Sequence, residues 1–166
     1  MTRIHKKKKL RPSILDRLFD DEPHNKTELD SGKHQKLKQL RNSVRRDLEF
    51  LLNSRFRVIE PNENLIEADN SLLNYGMPDL ATVNIIDKDK RAAFTQRLES
   101  IIRNFEPRFK SVKVKYLDNK ENSDRTLRFR IDAVLYADPA PEIVIFDSVL
   151  ESVTRNVSVK EISHGG

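Results

Sequence analysis

The chain has 166 residues, enough for one domain with a hydrophobic core and too few for two domains of ordinary size. Its composition, 37% hydrophobic and 34% charged, is that of a globular protein, and no apolar run approaches the roughly 20 residues of a membrane-spanning helix. The chain has no cysteine, which excludes disulfides, thiol catalysis and cysteine-bound zinc. Since no apolar signal core follows the lysine-rich start, we expect a cytoplasmic protein.

The net charge of +5 is concentrated at the N-terminus. Six basic residues lie within residues 1–11, four of them in the run from Lys6 to Lys9, and the rest of the chain has 25 basic and 26 acidic residues. A short basic arm is most often a solvated terminus, and the alternative is a contact with phosphates or an acidic partner. A nucleic-acid binder of this kind would lose affinity steeply with salt and would depend on residues 1–11.

Two helices are predicted in the first third of the chain. Residues 12–19 form a short amphipathic pattern with Ser13 as N-cap, and a helix this short must dock on its own domain or on a partner. Residues 20–32 are polar and acidic without periodicity, which indicates a linker. The second helix is predicted from about Lys33 to Leu52. Its apolar positions are Leu37, Leu40, Val44, Leu48 and Leu51.

The opposite face of this second helix is basic. Its positive side chains are Lys33, Lys36, Lys38, Arg41, Arg45 and Arg46. Two interpretations stay open, a solvated helix face and a contact with an acidic partner surface. Base stacking is not indicated, because no aromatic side chains alternate with these basic residues.

A turn and a third helix follow in the middle of the chain. Residues 71–80 form a half-apolar loop in which Gly76 can adopt a positive φ and Pro78 fixes the exit, so we expect it to pack over an edge of the core. Apolar residues then recur at helical spacing as far as Phe105. They are Phe94, Leu98, Ile101, Ile102 and Phe105.

The last third of the chain predicts β-structure. Apolar and polar residues alternate in residues 112–116 and 127–135, residues 142–146 form an apolar run, and valines mark a weaker last strand near residues 157–159. The polar residues 118–124 indicate a hairpin loop between the first two strands. The chain is therefore predicted to be an α+β protein, with N-terminal helices followed by a small, mostly antiparallel β-sheet of three to four strands. A weak last strand leaves an edge that another chain can extend.

The sequence provides little support for catalysis or for a cofactor. The histidines have no metal-ligand spacing, and none of the four glycines lies in a phosphate-binding loop or a nucleophile elbow. Glu106 is a candidate general acid for glycoside hydrolysis. However, Arg108 two residues later favours an ionised carboxylate, whereas a general acid must be protonated. We therefore predict a protein that is not an enzyme and binds no cofactor or metal.

The segment Glu106-Pro107-Arg108 joins the third helix to the first strand. Pro107 cannot donate a helical hydrogen bond and disfavours helical dihedrals at Glu106, so the junction is rigid and has two opposite charges. One interpretation is an ion pair that closes a turn in water, where such a pair contributes about 0–1 kcal/mol. The other is a charged turn presented to a partner, where complementary charge sets register and specificity.

Four segments together resemble TssE, the baseplate wedge subunit of the bacterial type VI secretion system, which is related to the small wedge protein of contractile phage baseplates. They are RPSILDRL at residues 11–18, RNSVRRDLEFLLN at residues 41–53, SLLNYGMPDL at residues 71–80 and FEPRF at residues 105–109. The likeness covers roughly residues 11–160. The family has a "lysozyme-like" label, yet the resemblance does not imply lysozyme activity. The Lys6 to Lys9 run is not part of the family pattern.

The resemblance implies a structural role in a contractile machine. Family members look like the terminal domain of the sheath subunit, so the β-rich end of the chain is expected to receive a strand from the first sheath ring and to help start sheath polymerisation. The residues Glu106, Pro107 and Arg108 are expected to hold the wedge partners TssF and TssG. Further implied partners are TssK and the sheath subunits TssB and TssC, and the implied location is the cytoplasmic side of the inner membrane, at the attached baseplate.

The resulting division of the chain has three parts. Residues 1–32 form a basic arm with a short helix and a linker, residues 33–160 form the TssE-like wedge domain, and residues 161–166 form a tail. The alternative function is a peptidoglycan-cleaving muramidase with Glu106 as general acid.

Overall fold

The computed structural model describes residues 18, 24, 33–55, 71–77, 88–119, 126–137, 140–151, 154 and 156–162. The predicted basic arm, nearly all of the predicted helix at residues 12–19, the linker and most of the predicted hairpin loop lie outside the described residues, and so does Pro78. Within the described ranges the element order is two helices, with a short 3-10 helix between them, and then four strands. This order confirms the predicted α+β fold.

The helices are α1 (Lys33–Asn53) and α2 (Lys88–Phe105), with the 3-10 helix Leu72–Asn74 between them. Each long helix has an apolar stripe that is buried and a charged face that is not, as the spacing of its apolar residues predicts. The buried apolar side chains of the helices are Leu40, Val44, Leu48, Leu51 and Leu52 of α1 and Phe94, Leu98, Ile101 and Ile102 of α2. Leu37, predicted on the same stripe, is half-buried.

The strands are β1 (Phe109–Leu117), β2 (Leu127–Leu135), β3 (Glu142–Leu150) and β4 (Val157–Glu161), and they form one antiparallel sheet in the order β1-β2-β3-β4. The register of β1 on β2 shifts once, between Phe109 and Ser111. β3 continues four residues beyond the predicted apolar run. Asp147 faces away from the core and binds Arg130 on β2, so a polar residue here extends the strand instead of ending it.

Both long helices pack on the same face of the sheet. α2 lies over β1 and α1 lies over β4. The buried residues alternate along the strands, except at the register shift near the start of β1, and cross-strand neighbours such as Val114, Ile131 and Phe146 lie in one layer under the helices. Phe129 and Phe146 are among the largest fully buried side chains. A single core therefore lies between the helices and the inner face of the sheet.

The turn at Gly76 fastens the loop between the helices to the end of α1. Gly76 adopts φ +118°, as the sequence predicts, and a Cβ atom there would lie 2.6 Å from the backbone oxygen of Ser54. The Met77 N–H donates to that same oxygen at 2.8 Å, and the Met77 side chain is fully buried. The loop therefore packs over the core, as expected.

Part of the basic face of α1 binds acidic residues of the same chain. Arg41 forms ion pairs with Glu142 of β3 and Glu161 of β4, and Arg45 pairs with Glu49 one helical turn later. For Arg41 and Arg45 the acidic groups in contact therefore belong to the protein itself, and the two interpretations left open above stay open for the rest of this face.

Candidate functional site

The turn from α2 into β1 contains the residues that the sequence singles out. Glu106 donates its N–H to Ile102 O at 2.9 Å, the last bond of α2, and its own carbonyl accepts from the Phe109 N–H at 3.2 Å. Pro107 lies between, at the tip, and is exposed. The backbone carbonyl of Arg108 accepts from the Tyr136 N–H at 2.9 Å, just past the end of β2. The turn is therefore fixed by main-chain bonds to both of its neighbouring elements.

The Glu106 side chain turns inward and is bound by Arg108. Glu106 is only 4% exposed. Its Oε1 accepts from the Arg108 N–H at 3.2 Å and from Nε at 2.6 Å, while Oε2 accepts from Arg108 Nη2. This is a bidentate contact between a guanidinium and a carboxylate, the strongest geometry available to such a pair.

The Arg108 guanidinium also reaches α1. Nη1 donates to Ser43 Oγ at 3.0 Å, and Nη2 donates to Asp47 Oδ2 at 2.6 Å. Ser43 and Asp47 are one helical turn apart and so face the same side of α1. Ser43, Asp47, Glu106 and Arg108 are hereafter called the Arg108 cluster. It joins the turn to a helix that lies about sixty residues earlier in the sequence.

The carboxylates around Arg108 favour the charged form of its guanidinium. Burial by itself lowers the pKa of Arg108, but the hydrogen bonds and negative charges of Glu106 and Asp47 outweigh this effect and raise the pKa above its ordinary value. The ring of Tyr75 packs edge-on against the ring of Phe105, with 5.3 Å between the ring centroids. The charges of Asp47 and Glu106 act on Tyr75 as well. Burial raises the pKa of Tyr75, and the carboxylates of Asp47 and Glu106 raise it further.

These contacts exclude one of the two interpretations of the turn. A solvated ion pair does not fit, since Glu106 is buried and Arg108 is bound to α1. Pro107 is the exposed residue of the three. The contact of this turn with a partner stays a prediction.

The sequence indicated Glu106 and Arg108 but not the other residues of the candidate site. Asp47 gave a weak signal, as the first acidic residue on the basic face of α1. Ser43 and Tyr75 gave none, because which helix face meets which turn depends on tertiary packing that a single sequence does not encode locally. The structure thus extends the candidate site from the α2–β1 turn to α1 and to the loop that contains Tyr75.

The Glu106 carboxylate is bound within the protein itself. Both of its carboxylate oxygens bind Arg108, and the side chain is shielded from solvent. Among the described residues, no group of three or more histidines and carboxylates is placed to hold a metal ion. No helix in the same ranges is long and apolar enough to cross a membrane.

Helices on one face of an antiparallel sheet, with a partly buried charge cluster at the turn from α2 into β1, define an α+β domain. A family model described as "Baseplate wedge protein gp25" matches residues 38–140, which is more than half of the chain. The chain therefore belongs to the gp25 family of baseplate wedge proteins, and this agrees with its resemblance to TssE. The match begins within α1, ends after β2 and before β3, and includes the whole Arg108 cluster. A comparison with curated proteins found no match.

Membership of this family supports a structural role in a contractile baseplate, of the phage or the type VI secretion type. It also implies association with other baseplate components.

Proposed function

We propose that the protein is a non-catalytic structural component of the type VI secretion baseplate, that it joins the wedge subunits to the contractile sheath, and that it helps start sheath polymerisation. The match to the wedge family over residues 38–140 is the observation that carries this proposal. The partners in the proposal are TssF and TssG on the wedge side, with TssK as a further candidate, and TssB and TssC on the sheath side. The location is the cytoplasmic face of the inner membrane, at the attached baseplate.

In this proposal the turn Glu106-Pro107-Arg108 forms the contact with TssF and TssG. Pro107 is exposed at the tip of a turn that main-chain and side-chain bonds fix to α1, α2 and the end of β2. A contact segment that is already rigid loses little conformational entropy on binding, which favours affinity. In this arrangement Glu106 and Arg108 hold the shape of the turn, and Pro107 with the exposed edge of Arg108 meets the partner.

The contact is tested by co-purification of TssF and TssG with single variants. Alanine at Glu106 or Arg108 removes hydrogen bonds that stabilise the turn. Loss of binding in those variants would therefore not distinguish a lost contact from a disturbed fold. Pro107→Glu places a charge at the exposed tip and leaves the Arg108 cluster intact. Gln96→Glu, at an exposed position of α2, is the matched control.

We expect Pro107→Glu to fold, as judged by circular dichroism, and to lose both partners, while Gln96→Glu retains them. If Pro107→Glu folds and still binds TssF and TssG at the wild-type level, the contact lies elsewhere.

The muramidase alternative predicts lytic activity that depends on Glu106. The burial of Glu106 and its occupation by Arg108 speak against it. We expect neither the wild-type protein nor Glu106→Gln to release fragments from purified cell wall. Lysis by the wild type that Glu106→Gln abolishes would establish the enzyme instead.

A further inference from the structure

The outer edge of β4 is occupied by side chains of α1. Asn53 acts as a peptide group would: its Oδ1 accepts from the Val157 N–H at 2.8 Å, and its Nδ2 donates to Val157 O at 2.9 Å. One turn earlier, Glu49 Oε1 accepts from the Val159 N–H at 3.4 Å and Arg45 Nη1 donates to Val159 O at 3.4 Å. Asn53, Glu49 and Arg45 are hereafter called the α1 ladder.

The α1 ladder follows from matching repeats. Four residues of helix rise about 6 Å and two residues of strand about 6.8 Å, so Asn53 and Glu49 meet Val157 and Val159 in turn, and the longer Arg45 side chain reaches Val159 as well. Another turn earlier, Arg41 continues the row to the Glu161 side chain at 3.3 Å. The bonds that a neighbouring strand would make to Val157 and Val159 are therefore already made within the chain.

Among the residues that the structure describes, fewer side chains cover the edge formed by β1. Along this strand Val114 turns its N–H away from β2, where it donates to Glu99 Oε2 of α2 at 3.3 Å. Alternate residues of a strand point their backbone groups to the same side, so Val112 and Tyr116 face outward as Val114 does. Within the described ranges, Val114 is the position on this edge where a side chain binds an outward backbone group.

We propose that β1 is the edge that accepts a strand from a partner, and that the α1 ladder keeps the β4 edge closed. This inference rests on the proposed function and specifies it, since it assigns the sheath contact to one of two edges. The occupant is an extended sheath segment in which apolar residues alternate with acidic ones. Its apolar residues continue the inner layer beside Val112 and Val114, and its backbone pairs with the outward groups of β1.

The acidic half of the occupant follows from the charges on β1. Lys110, Lys113 and Lys115 are all exposed along this strand, and among them Lys115 is bound to Asp132 of β2. A second copy of β1 would place lysines opposite lysines, which is destabilising, whereas an acidic strand is complementary. The same lysines discourage association of the free protein through this edge.

The test measures binding of the full chain to the TssB–TssC complex. Two variants are compared, and in each the charge of one lysine on one edge strand is reversed. Lys113→Glu changes β1, and Lys160→Glu, at a lysine of β4 that is also exposed, is its matched control. Affinity is measured by titration, and backbone amide exchange is followed in the free and bound protein. We expect Lys113→Glu to weaken binding roughly tenfold and Lys160→Glu to stay within about twofold of wild type. The amides of Val112 and Tyr116 should gain protection only in the complex, whereas those of Val157 and Val159 are slow in both states.

The other outcomes separate this inference from the proposed function. Binding that fails in Lys160→Glu and survives in Lys113→Glu, with new protection at β4, overturns the edge assignment and leaves the sheath role standing. A wild-type protein that does not bind TssB–TssC overturns the sheath role and the occupant with it. Concentration-dependent self-association that protects Val112 and Tyr116 without any partner would identify a second copy as the occupant and refute the proposal.

Discussion

Arg108 Nη2 donates a 2.6 Å hydrogen bond to Asp47 Oδ2, and this contact joins the α2–β1 turn to α1. The two helices touch each other little and pack mainly on different strands, α1 on β4 and α2 on β1. The Arg108 cluster thus links α1 directly to the turn at the end of α2 through polar contacts. Because its charges are largely removed from water, its partners depend on one another.

Replacing Arg108 by alanine should destabilise the fold strongly. The change leaves the Glu106 carboxylate buried without its cation, and breaking a buried pair in this way costs about 3–5 kcal/mol. The measurement is the free energy of unfolding from urea titrations followed by circular dichroism. The control is Arg103→Ala, which removes an exposed i,i+4 pair with Glu99 and should cost no more than about 0.5 kcal/mol.

Equal stability losses in these two arginine variants would contradict the buried role of Arg108. Asp47→Asn offers a graded comparison, since it keeps the shape of the side chain and removes one charge. We expect its unfolding free energy to fall between those of the wild type and Arg108→Ala.

Much of the fold was predictable because local patterns agree with the tertiary structure. The helical stripes of α1 and α2 and the alternation in β1 and β2 all place apolar residues in the core. β3 was predicted too short because Asp147 ends the apolar run, yet on a sheet with one exposed face a paired aspartate fits the strand well. The sequence pattern does not show that a cross-strand arginine is available to pair with it.

The site was predictable only where its members are close in sequence. Glu106 and Arg108 are two residues apart, and Pro107 between them marks a rigid turn. The contact with Ser43 and Asp47 depends on how α1 packs against the turn, so no local pattern reveals it. For the same reason the sequence suggested an open edge at β4, whereas the structure covers that edge with the α1 ladder.

Tyr75 should make stability depend on pH in the alkaline range. Burial, together with the charges of Asp47 and Glu106, raises its pKa above the ordinary 10.0. Above about pH 10 the unfolded chain loses this proton while the folded protein keeps it, so the free energy of unfolding falls as pH rises. The contribution is complete below the unfolded pKa and is lost as pH passes through the raised folded value.

The measurement is a spectrophotometric titration of the three tyrosines in the folded protein. We expect a late phenolate step in the wild type that Tyr75→Phe removes. Tyr136→Phe, which changes a tyrosine 40% exposed at the end of β2, should leave that step in place. A late step that persists in Tyr75→Phe would show that another group causes it.

Gly76→Ala should destabilise the loop that covers the end of α1. A non-glycine residue at φ +118° costs about 1–3 kcal/mol in backbone strain, and the added Cβ overlaps Ser54 O at 2.6 Å. Thermal unfolding measures the loss. Leu72→Ala in the same loop is the control, because Leu72 is 82% exposed and its removal should change stability by less than about 0.5 kcal/mol. A Gly76→Ala protein as stable as Leu72→Ala would mean that this turn relaxes freely.

Asn53→Ala should loosen β4 without unfolding the domain. The substitution removes both side-chain bonds to Val157 and a 2.8 Å bond to Glu49 O, while the freed backbone groups at this edge can bind water. We therefore expect a loss of about 1–2 kcal/mol and faster amide exchange at Val157. Asn42→Ala, an exposed asparagine on the same helix, should be neutral within about 0.5 kcal/mol. If exchange at Val157 is unchanged in Asn53→Ala, the α1 ladder does not hold the β4 edge, and that edge is as open to another strand as β1.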